Sequence, residues 1–188
     1  RVTHLRLNIF PDGGVARLRV HGVVLPEWNR ITKRGGEVDL AAIENGGTVV
    51  LCSDMHYGNP QNMLYPGPST GMHDGWETKR RRGPGHDWSV IRLGARGVIK
   101  RIAVDTSHFK GNAPGACWLE ICEAGGTPVP RESIDWEPLL DRQPLQPHTV
   151  HEFEAELRPA GPGTHVRLSI DPDGGLARLR LFGRRTDD

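Results

Sequence analysis

Two polar segments hold most of the side chains that could carry out acid–base chemistry. The first segment, residues 72–88, contains His73 and Glu77, followed by Arg80 and Arg82. Histidine and carboxylate side chains exchange protons with substrates, and arginine binds a carboxylate through paired N–H donors. If this segment is extended, the two arginines share one face. The alternative interpretation is a solvated basic strand with ordinary ion pairs.

The second segment, residues 105–114, directly follows a predicted strand. Asp105 ends that strand, and His108, Lys110 and Asn112 follow at near-alternate positions. An aspartate can orient a histidine that acts as a general acid or base. The alternative is that Asp105 caps the loop through backbone N–H groups and that Asn112 belongs to a simple turn.

The same segments also contain candidate metal ligands and one tryptophan that could stack on a ligand. A divalent metal is a possible cofactor, with His73, His86, Asp87 and His108 as available ligands, but no pair has a diagnostic spacing, so no specific metal ligand is assigned. Trp76 lies in the middle of the first polar segment. It is therefore the tryptophan predicted to contact a ligand, and the others are predicted to pack in the core or against loops.

Composition limits the class of protein. Net charge is +1, from 24 basic and 23 acidic side chains, which argues against a nucleic-acid-binding protein. No apolar run approaches the ~20 residues of a membrane span, so no membrane partner is predicted. Three cysteines without a metal-binding spacing indicate reduced thiols and a cytoplasmic location.

One twenty-residue segment occurs twice. Residues 3–22 read THLRLNIFPDGGVARLRVHG, residues 164–183 read THVRLSIDPDGGLARLRLFG, and fourteen positions are identical. Apolar residues alternate on both sides of the Asp-Gly-Gly turn, which predicts a β-hairpin that closes a duplicated module. The arginines are predicted to face outward, where they would pair repeats or subunits, because arginine is favoured at interfaces.

The rest of the chain is predicted to be all-β. Short apolar runs between 24 glycines and 15 prolines favour a β-sandwich. The segment 138–147 is predicted to be a loop, and the strands on either side of Gly94–Gly97 are predicted to pair through that turn. The predicted strands are Thr48–Cys52, Trp88–Leu93, Val98–Val104, Cys117–Cys122 and Val150–Leu157.

Four segments resemble the allantoicase family: the twenty-residue repeat, SDMHYGNPQNML (53–64), MHDGWETKRRRGPGHDWSVIRLG (72–94) and VDTSHFKGNAP (104–114). The resemblance implies a galactose-binding-like jelly roll and two tandem repeats per family chain. Residues 1–25 would close a preceding repeat, 26–37 would link, and 38–188 would form a complete repeat. Most of the first repeat is absent, so we expect a piece of a longer protein in which the first allantoicase repeat is a partner. A homo-oligomer is also expected.

The resemblance also implies an enzyme, a C–N hydrolase that converts allantoate to ureidoglycolate and urea in purine and allantoin degradation. The roles within the site are inferred from residue type and position. Catalysis is assigned to His108 with Asp105, or to His73 with Glu77. Substrate binding is assigned to Arg80, Arg82, Lys110, Asn112 and Trp76. The competing hypothesis is a non-catalytic ligand-binding or structural jelly-roll module of a two-repeat enzyme.

Overall fold

The protein is an antiparallel β-sandwich with the topology of a jelly roll. A computed structural model describes residues 1–32, 36–124 and 135–186. Those ranges contain one short helix, α1 (Trp28–Ile31), and three 3₁₀ turns at Ile43–Asn45, Pro60–Leu64 and Met72–Asp74. Their strands are β1 (Val38–Asp39), β2 (Thr48–Cys52), β3 (Trp76–Glu77), β4 (Asp87–Asp105), β5 (Ala116–Cys122), β6 (Glu137–Pro144), β7 (Val150–Phe153), β8 (Gly163–Asp171), β9 (Gly175–Leu176) and β10 (Arg178–Arg185).

Strand β4 belongs to both layers of the sandwich. Its first half pairs with β2 and β8, and its second half pairs with β10 and β7. The pairing with β8 is irregular between Arg92 and Gly97. The prediction of two strands paired across Gly94–Gly97 is therefore wrong, because the two halves lie in opposite layers and bond to other strands.

The glycines of this segment serve close packing instead of a hairpin turn. A Cβ atom on Gly94 would overlap the backbone carbonyl of Asn45. A Cβ on Gly97 would lie 2.6 Å from the Leu40 side chain and 2.7 Å from the Arg184 carbonyl oxygen. Only glycine lets the backbone approach this closely where β4 passes from one layer to the other.

The predicted hairpin of the second repeat copy is also wrong. Its two strands, β8 and β10, are separated in the sheet by β4, so they do not pair with each other. The turn at 171–174 instead carries the chain from one layer to the other. The outward placement of the arginines fails at Arg178, whose side chain is buried.

Strand β6 lies where a loop was predicted. Residues 138–147 were expected to form a loop because of their prolines, yet residues 137–144 pair with β5. Leu139 and Leu140 are almost fully buried there. The prolines are accommodated because β6 is an edge strand, which does not need every N–H for the ladder.

The core lies between the two layers. Its fully buried side chains include Ile91 and Leu168 from one layer and Ile102 and Leu181 from the other.

The predicted strands at 48–52 and 117–122 are confirmed, while the predicted strand at 150–157 ends early, at Phe153. The three cysteines are free thiols, and burial raises the pKa of Cys117 to about 12. No helix in the described ranges is long and apolar enough to cross a membrane.

The first repeat copy has no such packing. Residues 1–25 contain no strand and are exposed throughout. Leu7 is 53% exposed, whereas its counterpart in the second copy, Leu168, is fully buried. Both copies nevertheless share their turn geometry, with φ of 135° at Gly13 and 132° at Gly174. Closely similar segments are thus buried in the second copy and exposed in the first.

We expect His165 to make the stability of the sandwich depend on pH. Burial, with Arg92 nearby, holds the pKa of this imidazole below its usual value of 6.5. As the pH falls, the imidazole is therefore protonated in the unfolded chain before it is protonated in the folded one. The contribution of His165 to the free energy of unfolding is complete above that value and is lost as the pH falls below it. Urea unfolding at pH values between about 7 and 5.5 should show the loss in the wild type.

The matched variant for this test is His165→Gln, which should flatten the decline. His4 holds the same repeat position in the exposed copy, so His4→Gln should keep the wild-type pH dependence. Parallel curves for the wild type and His165→Gln would show that this histidine does not govern the loss.

Candidate functional site

The polar segments meet at one end of the sandwich. Asp87 and Asp105, the two ends of β4, pair with Ile170 and Arg178, which are joined by a short connection. The loops 53–86, 106–115, 145–149 and 171–177 therefore cluster there, on the scaffold that the strands provide. This loop cluster and the end of β4 at Asp105 together include every residue predicted to act on substrate.

Glu77 and Asn112 form the centre of the cluster. The Asn112 side-chain amide donates a hydrogen bond to Glu77 Oε1 at 2.6 Å, across 35 residues of sequence. Both residues are also held by their backbones: Tyr57 N–H donates to Glu77 O at 3.1 Å, and Gly175 N–H donates to Asn112 O at 2.9 Å. Both side chains are half-buried. A carboxylate and an amide are thus fixed side by side at the protein surface.

His108 lies in the same cluster but is not oriented by Asp105. Its Nε2 contacts the carbonyl oxygen of Ser69 at 3.0 Å, and its backbone N–H donates to His148 Nδ1 at 2.8 Å. Asp105 Oδ1 instead accepts the backbone N–H of Ser107 at 2.7 Å. The pairing of Asp105 with His108 is therefore wrong, because the carboxylate is used to cap its own loop.

The His73 ring lies next to Gly71, and no ion pair joins it to Glu77 in the part of the chain that the structure describes. A Cβ on Gly71 would lie 2.9 Å from the His73 ring, and Ser69 Oγ donates to Gly71 O at 2.9 Å. The segment 69–71 is therefore contacted by both histidine candidates. In residues 1–32, 36–124 and 135–186, no three His, Cys, Asp or Glu side chains converge as metal ligands.

Arg178 organises the loop that carries these groups. Its guanidinium donates to the Gly67 carbonyl at 3.0 Å, to Asp74 O at 2.5 Å and to Asp74 Oδ2 at 2.8 Å. The hydrogen bond from Arg178 is the main reason why the pKa of Asp74 lies below its usual value. A buried cation thus ties residues 67–74 to strand β10.

Two cations of the basic segment are engaged in ion pairs. Lys79 Nζ lies 3.6 Å from Asp54 Oδ2, and Arg81 Nη2 lies 2.5 Å from Asp87 Oδ1. The side chains predicted to bind a carboxylate are exposed and make no ion pair with other described residues. They are Arg80, Arg82 and Lys110.

Trp76 does not line the site. Its side chain is fully buried in the core, and its indole N–H donates to the Asp54 carbonyl oxygen at 2.9 Å. The prediction that Trp76 binds substrate is therefore wrong. Trp76 faces inward because it alternates with Glu77 along β3, and that alternation places the carboxylate on the accessible side.

Two residues of the cluster were missed by sequence reasoning. Arg178 was placed on the outward face by the alternation of its strand, although an arginine beside a run of loop carbonyls can be buried. His148 lies in a proline-rich segment without a strand pattern. No local signal connects it with His108, forty residues away.

Comparison with known proteins identifies the family of this chain. A family model, the allantoicase repeat, matches residues 1–25 and 38–186. The chain belongs to the allantoicase repeat family. A probable allantoicase 2 of Burkholderia pseudomallei is 52% identical over 184 residues, 96% of this chain and 54% of that protein. A probable allantoicase of Stutzerimonas stutzeri is 50% identical over 97% of this chain and 56% of its own length.

Solved structures agree with the allantoicase repeat. The crystal structure of allantoicase from Saccharomyces cerevisiae matches 92% of this chain and 49% of its own, with a TM-score of 0.76 and 39% identity. A family 32 carbohydrate-binding module of Streptococcus pneumoniae EndoD has a TM-score of 0.57 at 14% identity, which is a likeness of fold alone. The chain spans about half the length of the curated relatives it matches.

Proposed function

We propose that this chain forms part of an allantoicase, which hydrolyses allantoate to ureidoglycolate and urea in purine degradation. The observation that carries the proposal is the 52% identity to a probable allantoicase over 96% of the chain. The loop cluster supports it, because it holds a fixed carboxylate and amide near two histidines and several unpaired cations. The competing non-catalytic module has no observation in its favour beyond the common fold.

The substrate accounts for the chemical groups in the cluster. Allantoate is a carbon that carries one carboxylate and two ureido groups. In the reaction a water oxygen bonds to that carbon, the C–N bond to one ureido group breaks, and a proton reaches the departing nitrogen to give urea. The site must therefore supply a base for the water, an acid for the nitrogen and a cation for the carboxylate.

The Glu77–Asn112 pair suits a ureido group. Its single hydrogen bond uses Glu77 Oε1 and the Asn112 amide. Within the described ranges, no further bond engages Glu77 Oε2 or Asn112 Oδ1, so two acceptors remain side by side. A ureido group is rich in N–H donors, and the pair would bind it by accepting them.

The remaining roles follow from exposure and position. We assign the substrate carboxylate to Arg80, Arg82 or Lys110, whose cationic groups are exposed. We assign proton transfer to His108 or His73, with Glu77 as the second acid–base group. In His108 the contact of Nε2 with a carbonyl places the hydrogen on Nε2, so Nδ1 is the nitrogen left to accept a proton.

The test of this assignment is urea release from allantoate. We expect His108→Ala to lower turnover by at least ~100-fold, the usual scale for losing an acid–base group. The assay should use this chain and also a protein that carries both repeats, because the active unit could need the two. Ligand binding without urea release in both would support the non-catalytic module.

The control for His108→Ala is His56→Ala. His56 is exposed, and its ring packs edge-on against Tyr57 with 4.5 Å between the ring centroids. Normal turnover in His56→Ala with a large loss in His108→Ala would assign the effect to His108 itself and not to the loss of an exposed imidazole from the same loop cluster. Near-normal turnover in His108→Ala would remove this histidine from the mechanism.

The exposed first repeat copy supports a proposal for domain organisation. We propose that residues 1–25 close a first allantoicase repeat, that 26–37 link the two repeats and that 38–188 form the second. Three linker residues, 33–35, and the segment 125–134 lie outside the described residues.

We further propose a cytoplasmic homo-oligomer. The free cysteines fit a reducing compartment, and exposed apolar residues of the first copy fit burial against further polypeptide.

A further inference from the structure

The two non-glycine residues with positive φ in the described ranges contact each other. His108 has φ of 73° and His148 has φ of 53°. A side chain with a Cβ rarely adopts this left-handed conformation, and such residues cluster where a site requires a fixed geometry. Both histidines lie in the loop cluster, with ring centroids 5.9 Å apart.

The two loops that carry these histidines are held together by reciprocal bonds. Thr106 is fully buried; its N–H donates to Thr149 O at 2.9 Å, and its Oγ1 donates to Gln146 O at 2.6 Å. The N–H of Thr149 returns a bond to Thr106 Oγ1 at 3.0 Å, and that of His148 donates to Phe109 O at 3.3 Å. This network fixes both left-handed residues.

The bond between the histidines also fixes a tautomer. The N–H of His108 donates to His148 Nδ1 at 2.8 Å, so this nitrogen carries no hydrogen and His148 must hold its proton on Nε2. The His108 ring faces the other way, with Nε2 on the Ser69 carbonyl. The side chain of one histidine thus holds the backbone from which the other projects.

We infer that His148 is a positioning residue for His108, acting through its Nδ1 acceptor and its own left-handed backbone; the role in turnover rests on the acid–base function proposed for His108. Without this acceptor, the backbone N–H of His108 loses its hydrogen-bond partner in the loop. The position of the His108 ring against the Ser69 carbonyl is then no longer fixed. His148 needs no contact with the substrate for this role.

Two substitutions separate the acceptor from the backbone conformation. His148→Gly permits the positive φ but removes the acceptor. His148→Asn supplies an oxygen near the position of Nδ1, and asparagine tolerates the left-handed region better than other side chains. The asparagine variant should therefore restore what the glycine variant loses, and His56→Gly is the control for loss of an exposed imidazole.

The first readout does not depend on activity. Long-range ¹H–¹⁵N NMR of this chain should show the Nε2–H tautomer for both rings. In His148→Gly, amide exchange at His108 should accelerate about tenfold, the scale of one net hydrogen bond, and its ring should lose the single tautomer. His148→Asn and His56→Gly should match the wild type. An Nδ1–H tautomer at His148, or unchanged exchange in the glycine variant, would overturn the proposal.

The second readout uses allantoate turnover by the protein with both repeats. His148→Gly should lower kcat by about 10- to 100-fold with little change in KM, because misplacing a reacting group by about 1 Å has effects of that order. His148→Asn should recover most of kcat. Equal kcat in wild type and His148→Gly would refute the positioning role, whereas absence of urea release in the wild type would refute the proposed function and leave the NMR result to decide on His148.

Discussion

Replacing Arg178 with alanine should lower the free energy of unfolding by about 3 kcal/mol, the low end of the range for breaking a buried ion pair. Arg178 is 4% exposed, and its guanidinium holds the Asp74 carboxylate and the carbonyl groups of residues 67 and 74. Without it, these acceptors remain partly buried and unpaired. The low end applies because the Asp74 side chain retains 21% exposure and can recruit water.

The repeat provides the matched control for this prediction. Arg17 occupies the same position in the first copy and is exposed, so Arg17→Ala should change stability by no more than about 0.5 kcal/mol. Arg178→Met, which keeps most of the side-chain volume, should remain close to the alanine variant if the hydrogen bonds are responsible. Urea unfolding of the four proteins measures the difference. A loss restored by methionine would assign the effect to packing instead.

The loss of Arg178 should also reach the functional site. The 67–74 loop carries Ser69, which contacts His108, and Met72, whose sulfur lies 3.8 Å from the Asn112 amide nitrogen. Both contacts depend on a loop that Arg178 fastens to the sandwich. We therefore regard Arg178 as the link between the core of the repeat and the geometry of its polar loops.

Apart from β6, the longer strands were predictable from the sequence, but their neighbours in the sheet were not. Alternation along residues 164–170 correctly identifies a strand with one buried face, because period two reports which side chains face the core. The pattern contains no information about which strand lies alongside. The insertion of β4 between β8 and β10 is set by packing of the two layers, so a turn motif with alternating flanks was mistaken for a hairpin.

The candidate site was predictable in its segments and not in its contacts. The polar composition of residues 72–88 and 105–114 predicted that these two segments carry the site, and the fold brings both to the same end of the sandwich. The bond between Glu77 and Asn112 joins positions 35 residues apart, and the use of Asp105 as a cap depends on local backbone geometry. Trp76 was misassigned because a polar neighbourhood in sequence is compatible with an inward-facing position on a two-residue strand.

The final prediction compares the two copies of the repeat at one leucine. Leu168→Ala should lower the free energy of unfolding by about 2–5 kcal/mol, because it leaves a cavity in a core where this side chain is fully buried. Leu7→Ala removes the same atoms at the same repeat position, but from a side chain that is 53% exposed. In this chain it should cost no more than about 0.5 kcal/mol.

Extending the chain should reverse the behaviour of Leu7. If residues 1–25 close a first repeat, a protein that carries the remainder of that repeat will bury Leu7 as the core of the second repeat buries Leu168. Leu7→Ala should then cost about 2–5 kcal/mol in the first-repeat transition, while Leu168→Ala is unchanged. An effect near zero in the extended protein would mean that the first copy, despite its identical turn geometry, does not complete a jelly roll. The apolar side chains of the first copy would then need another partner, because exposed leucine, isoleucine and phenylalanine in one segment mark an interaction surface.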